Sequence, residues 1–476
     1  MWVAPGQKRP HPLCGQRGSL PYRSPKGLSR IPAIDPPPPI GERAAMNTEP
    51  PAQPSPPAAR PRARVGGIAL LLLALLLGGG YWYDASRKPT LLEGPLLQLD
   101  AAGRVNIVWK WTPESIPSAL HWTDETGMHT VEAHSIGRGR FEATITGLRP
   151  GGDFVYSLNY HGILGQKRVL GSYFGQAPAP RGKGFRLLAF GDSGGGGNSQ
   201  FDLADLMLKQ GPNLIIHTGD LIYPAGDDAD YALKFYEPYA RLIESVPFMP
   251  SLGNHDGATD KGAPFLRHFV LPENGPPGLE PERNYWFDFG DARFVALDTN
   301  RDTEHGVITF EQMKTVVAPW LRRVLSDCDA KWKFVFFHHP PYTGSEHEAE
   351  GQAFVKEAFC AAFDETRTDI VFAGHNHLYE RTAPIQADRV VPEGQGTVYI
   401  TTGAGGMSRY PEKLPPPPYM RVFNDKVFSF TVVDVTADRV TLKQVDENGK
   451  TIDEYSIAKP PITASAPSAA TGSPAP

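Results

Sequence analysis

Residues 185–194 read FRLLAFGDSG and residues 214–223 read LIIHTGDLIY. Each is a short apolar run that breaks on a Gly-Asp pair, and related figures occur three more times. The run 247–252 leads to Gly253-Asn254-His255-Asp256, 334–337 stops at His338-His339, and 370–372 leads to Gly374-His375-Asn376-His377. Short apolar runs bounded by turn residues read as buried strands. Residues 200–209, 309–325 and 352–363 have helical composition and spacing, so strands alternate with helices from Phe185 onward and predict an α/β domain. Open α/β sheets bind ligands at the carboxyl ends of their strands. The five runs are therefore expected to deliver Asp, Asn and His side chains to one such edge, while 398–402, 427–435 and 440–445 complete a second sheet.

A Gly-Asp pair alone is commonly only a turn, and a single histidine is commonly a satisfied core residue. Five such endings in succession at one edge call for a shared purpose. The candidate ligands are Asp192, Asp220, Tyr223, Asn254, His338, His375 and His377. Seven exceed one tetrahedral zinc site and suit two metals roughly 3.5 to 4 Å apart, which can clamp the attacking and leaving oxygens of a displacement. No thiolate belongs to the set, so mixed imidazole and oxygen ligation points to Fe, Mn, Zn or similar ions.

These residues resemble the purple acid phosphatases, within the calcineurin-like metallophosphoesterases. The family pattern D-x-G, G-D-x-x-Y, G-N-H-D/E, V-x-x-H and G-H-x-H is met in order by Asp192 to Gly194, Gly219 to Tyr223, Gly253 to Asp256, Val335 to His338 and Gly374 to His377. The resemblance implies a four-layer αββα sandwich of mixed α/β (α+β) class over 184–458. It also implies a centre of Fe(III) plus a divalent ion, Zn, Mn or Fe. Asp192, Tyr223 and His377 would hold the ferric ion, Asp220 would bridge, and Asn254, His338 and His375 would hold the divalent one. The activity implied is hydrolysis of phosphate monoesters by metal-bound hydroxide, with small phosphate esters as substrates. A phosphodiesterase or nucleotidase on the same centre is the alternative, and an inactive cell-surface binding protein a third reading. His255 is the candidate acid for the leaving alkoxide, with Asp256 orienting it. His347 resembles a second substrate-binding histidine. His339 and His217 read as supporting or core residues, and Tyr379-Glu380-Arg381 as the site of an internal ion pair.

Upstream, Val105, Ile107, Trp109 and Trp111 alternate, as do Phe141, Ala143, Ile145 and then Phe154, Tyr156, Leu158. About seven short strands fit residues 90–176, which suits a small all-β sandwich. Its segment Leu148 to Phe154 resembles a turn of fibronectin type III domains, with Phe154 where a tyrosine usually stands. Residues 176–183 read as a linker.

Residues 1–64 carry 16 of the 48 prolines and ten Lys/Arg against three Asp/Glu, so they read as a disordered basic arm. The remainder must then carry −12 to reach the formal −5, and no basic surface for nucleic acid is expected downstream. Residues 460–476 read as a disordered tail. Between arm and body, 65–83 (VGGIALLLLALLLGGGYWY) has no charge, with Arg60, Arg62 and Arg64 before it and aromatics closing it. This predicts a transmembrane signal anchor with the catalytic part extracytoplasmic, periplasmic or at the cell surface. The alternative is secretion after signal cleavage. Met46 is an alternative start to Met1. Three cysteines exclude a disulfide scaffold, leaving Cys328 and Cys360 either paired or merely small buried residues. Oligomeric state is not legible.

Overall fold

The computed structural model describes residues 63–86, 88–115, 118–162, 166–345, 353–410 and 415–459. Residues 1–62 of the basic arm, the tail and His347 lie outside the described residues, while Ala63 and Arg64 begin the first helix. The chain divides into two units, 1–70 and 71–476. A 24-residue helix, Ala63–Ser86, carries the apolar stretch, and Leu70 to Leu77 are exposed on it. Even so, no helix among the described residues is long and apolar enough to cross a membrane. The expected transmembrane anchor is thereby corrected. The uninterrupted aliphatic run is Ile68 to Leu77, about 15 Å of helix against a hydrocarbon core of about 30 Å, and glycines flank it on both sides.

From Thr90 to Gln176 eight strands form two four-stranded antiparallel sheets. One pairs Thr90–Leu99, Val105–Thr112, Arg140–Ile145 and His134–Gly137; the other pairs Gly127–Glu132, Ser118–Asp124, Asp153–His161 and Lys167–Gln176. The alternating residues face inward, so Trp109, Trp111, Phe141, Phe154, Tyr156 and Leu158 are buried between them. This layer also bonds to the α/β part of the chain: the Gln98 carboxamide oxygen accepts from Val270 N at 2.8 Å, and the Tyr156 hydroxyl donates to Glu244 O at 2.7 Å.

The remaining chain builds two sheets. The first runs in the order Phe248–Pro250, Leu214–His217, Phe185–Phe190, Ser429–Val435, Arg439–Asp446, Thr451–Ala458, its first three strands parallel. The second runs Tyr285–Phe289, Ala292–Ala296, Trp332–Phe336, Ile370–Ala373, Val398–Thr402, Tyr379–Thr382, Met420–Asn424, parallel from its second to its fifth strand. Side chains of the second sheet divide by period two. Phe294, Phe334, Phe336, Ile370, Phe372 and Ile400 join the core shared with Leu187, Leu188 and Phe190 of the first sheet. Val295, Val335, Phe337, Val371 and Tyr399 instead pack with Leu321, Phe359 and Phe363 of the helices Ala318–Ser326 and Ala353–Thr366. Burial on both faces explains why these strands read as continuous apolar runs. On the far side of the first sheet, Asn198–Lys209 buries Leu203, Ala204 and Met207, which completes the αββα layering.

Two sequence expectations change here. The five motif strands do not share one sheet: 185–190, 214–217 and 248–250 belong to the first, 332–336 and 370–373 to the second. Likewise Val398–Thr402 joins the second sheet, while Ser429–Val435 and Arg439–Asp446 extend the first. Cys328 and Cys360 are free thiols.

Candidate metal centre

Each motif places its side chain by a tight turn at a strand end. Asp192, Asp220 and His375 all have left-handed backbones, with φ of 57°, 57° and 70°. Non-glycine residues adopt that region at a cost of order 1 kcal/mol, and such strain concentrates at functional sites. The glycines beside them admit close approach. A Cβ at Gly253 would lie 2.1 Å from Asp220 Oδ1, and one at Gly374 would lie 2.5 Å from Asp192 Oδ2.

The structure brings all seven expected ligands together, in two groups. In the first, the Tyr223 hydroxyl is 3.3 Å from Asp192 Oδ1 and 2.9 Å from His377 Nε2, and His377 Nε2 is 3.5 Å from Asp192 Oδ1. In the second, Asn254 Oδ1 is 2.8 Å from His338 Nε2 and 3.0 Å from His375 Nδ1, and the two imidazole nitrogens are 3.1 Å apart. Asp220 Oδ2 touches both, accepting from Tyr223 at 2.8 Å and lying 3.4 Å from His338 Nε2.

Burial pushes Asp192 well above the usual carboxylate range, with the neighbouring Asp220 charge reinforcing it. Burial would raise Asp220 too, but the His338 charge and hydrogen bond outweigh it and hold it well below that range. Reciprocally, burial disfavours a charged His338, yet Asp220 and then Asp192 bring it to about 9. Burial lowers His377 to about 3 and raises the Tyr223 phenol well above 10, the two carboxylates adding to the latter. Among the described residues, no lysine or arginine bonds to Asp192 or Asp220. Two carboxylates, a phenol, an amide oxygen and three imidazoles, all buried except the half-buried Asn254 and His375 and without such a counterion, form a donor set that fits hard to borderline cations.

Surrounding residues fix these groups. His338 Nδ1–H donates to Thr218 O at 2.9 Å, which leaves Nε2 free to act as a ligand. His255 Nδ1–H donates to Pro224 O at 2.5 Å and its Nε2 lies 4.0 Å from Asp220 Oδ2, on a side chain 36% exposed. The orienting contact expected of Asp256 therefore falls to Pro224. Asp256 instead accepts from the backbone N–H groups of Leu221, Ile222 and Gly253 at 2.9 to 3.1 Å, so it pins the loop carrying Asp220 and Tyr223. His339 Nδ1 lies 2.8 Å from Thr299 Oγ1, with its ring 4.6 Å from that of His375. His217 is buried against Phe190 and bonded to Ser193 Oγ at 2.9 Å. Arg381 pairs with Asp453 at 2.6 Å, the internal ion pair expected of that motif.

Two contributors carried no sequence signal. Lys234, on the π-helical turn Ala232–Tyr236, donates to Tyr223 O at 2.6 Å and Asp230 Oδ2 at 2.8 Å. Ser408 Oγ lies 2.6 Å from His377 Nδ1. A π-turn among helical residues is a common mark of functional sites, but composition does not reveal one.

Residues 185–379 match the model of the calcineurin-like phosphoesterases, and residues 396–454 that of the iron/zinc purple acid phosphatase-like protein C region. The chain thus carries a calcineurin-like metallophosphoesterase domain followed by a purple acid phosphatase-like C-terminal region. It is 28% identical over 214 residues to purple acid phosphatase 22 of Arabidopsis thaliana, covering 42% of this chain and 45% of that protein. It is 24% identical over 324 residues to a nucleotide pyrophosphatase/phosphodiesterase of Hordeum vulgare, covering 57% and 82%. Among solved structures, the purple acid phosphatase from yellow lupin (Lupinus luteus) seeds shares the metallophosphoesterase fold. Its TM-score is 0.66 at 18% identity, covering 78% of this chain and 74% of that one.

Proposed function

We propose that this chain hydrolyses phosphate monoesters on a centre of Fe(III) and a divalent ion. The observation that carries the reading is the convergence of seven donors in two groups that share Asp220 Oδ2. Asp192, Tyr223 and His377 would hold one ion, Asn254, His338 and His375 the other, with Asp220 common to both. When bound, such ions supply positive charge at the phosphoryl oxygens and acidify water beside them. His255 serves the leaving group. Its Nδ1 proton is committed to Pro224 O, so Nε2 is the atom that can carry a second proton to the departing alkoxide. His347 is kept, on the resemblance, as a contact to the substrate phosphate.

The test is metal content, visible spectrum and turnover of the purified chain on a panel of phosphate esters. His255→Ala should slow alkyl phosphates far more than nitrophenyl phosphate, whose leaving group needs little protonation. Equal losses on both would remove His255 as the acid. A full complement of Zn or Mn, colourless and fully active, would sink the ferric assignment. The barley relative's name favours a second reading, hydrolysis of phosphodiesters or pyrophosphates at the same centre. A rate on bis-nitrophenyl phosphate exceeding that on the monoester would replace the first reading with the second. We also propose secretion after leader cleavage, supported by the h-region length of the run Ile68 to Leu77. Mature protein still beginning before Val65 would overturn this.

A further inference from the structure

The strand Val398–Thr402 runs out into Gly403-Ala404-Gly405-Gly406-Met407-Ser408-Arg409-Tyr410. This strap lies along the Asp192 turn. Gly405 N donates to Gly191 O at 3.1 Å, Met407 N donates to Asp192 O at 3.1 Å, and the Ser199 hydroxyl donates to Gly406 O at 2.8 Å. Thus anchored, it meets His377 twice. Ser408 Oγ is 2.6 Å from Nδ1, and the Tyr410 ring stacks on the imidazole at a centroid distance of 4.1 Å and an interplanar angle of 13°.

We propose that Ser408 is a positioning residue that selects the His377 tautomer able to bind metal, with Tyr410 fixing the plane of the ring; the proposal rests on the dimetal reading above. His377 presents Nε2 to Tyr223 and Asp192, at 2.9 and 3.5 Å. For Nε2 to offer a lone pair there, the neutral ring must carry its proton on Nδ1, and that N–H needs an acceptor. Ser408 Oγ is the acceptor in place. His338 meets the same requirement with the carbonyl of Thr218, which can only accept. A hydroxyl can also donate, so the His377 arrangement depends on the strap holding Ser408 with its own hydrogen turned away. The strap thereby ties one ligand of the Tyr223-bearing group to the turn that carries another, Asp192.

Removal of a supporting partner of this kind commonly weakens metal affinity about 10- to 100-fold. The experiment uses the full chain, stripped of metal and titrated with iron and with zinc separately, for wild type, Ser408→Ala, Ser408→Thr and Tyr410→Leu. Ser408→Ala should lose about 10- to 100-fold in affinity at one of two positions and lose visible absorbance per protein. Its metal-free form should unfold at the wild-type temperature, and Ser408→Thr should restore both metal and colour. Tyr410→Leu should show a smaller loss at the same position. Wild-type affinity and stoichiometry in Ser408→Ala would overturn the proposal, as would a threonine variant as defective as the alanine. Histidine-selective 15N spectra of the wild type provide a readout independent of any variant: an Nε2–H tautomer at His377 overturns the proposal, and an Nδ1–H tautomer supports it. Two metals bound but unaffected by Ser408→Ala refutes this inference alone. A wild-type chain that takes up no metal refutes the dimetal reading as well.

Discussion

Gly374→Ala tests how closely the two sheets must approach at the candidate centre. Gly374 does not have a positive φ, so alanine meets no backbone penalty, and the effect is steric. Its Cβ would lie 2.5 Å from Asp192 Oδ2, 2.8 Å from Thr218 O and 2.9 Å from Thr218 Oγ1, where ordinary contact begins at 3.4 Å. Relief requires movements of about 0.5 to 0.9 Å, and two of the three atoms belong to groups that cannot swing aside freely. Asp192 is pinned by His375 N at 2.9 Å, and Thr218 O accepts from His338 Nδ1. Overpacking of this kind costs about 1–3 kcal/mol of stability. A displacement of about 1 Å in a catalytic constellation can cost about 100-fold in rate. The assay is a urea unfolding curve beside kcat and bound metal per chain. The expected variant folds, with stability lowered by that amount, yet loses about 100-fold in kcat and part of its metal. Wild-type kcat with full metal content would refute the reasoning, because Asp192 and Thr218 would then have to be free to move.

Three further outcomes rest on other contacts. Tyr223→Phe should remove the visible absorption of the iron-loaded chain while keeping the fold, as measured by absorbance and circular dichroism; a variant that stays coloured excludes Tyr223 as the phenolate ligand. Asp453→Ala should cost about 3 kcal/mol in denaturant unfolding, because Arg381 loses bonds of 2.6 and 3.0 Å and Tyr379 one of 2.7 Å, all largely buried. A change under about 1 kcal/mol would show that Arg381 is satisfied by its stacking on Tyr455. Glu282 is raised from 4.5 to about 7, chiefly by burial. The folded chain therefore holds that proton after the unfolded chain has released it, so this group's contribution to stability falls as pH rises from about 4.5 through 7. Glu282→Gln should lessen the loss of stability between pH 5 and pH 8 by about 1–2 kcal/mol, and an unchanged pH profile would contradict that sign and site.

Much of the candidate site is legible in the sequence because its instructions are local. A buried strand ending on Gly-Asp, Gly-Asn-His or Gly-His-x-His states both where a donor sits and what kind it is. What stays hidden depends on partners far along the chain. Asp256 stands next to His255 in sequence, yet its carboxylate turns to three backbone N–H groups, and Pro224 holds the histidine instead. Lys234 reaches Tyr223 from a π-turn that hydrophobic patterning cannot distinguish from an α-helix. In the helix Ala63–Ser86, counting uncharged residues overstated the span, since the glycines at both ends of the ten-residue aliphatic run contribute length with little apolar surface.

The sequence by itself determined the donor chemistry and the strand-to-turn geometry that exposes it, because residue type and period-two burial act over a few neighbouring positions. Only the tertiary structure decided that three motif strands lie in one sheet and two in the other, and that the two strand-end edges meet at Asp220. Only packing, too, brings Ser408 to His377 from 31 residues further along the chain. The physical reason is that pairing between sheets and the partners of a buried imidazole are set by shape and burial across the whole domain, and no local pattern encodes them.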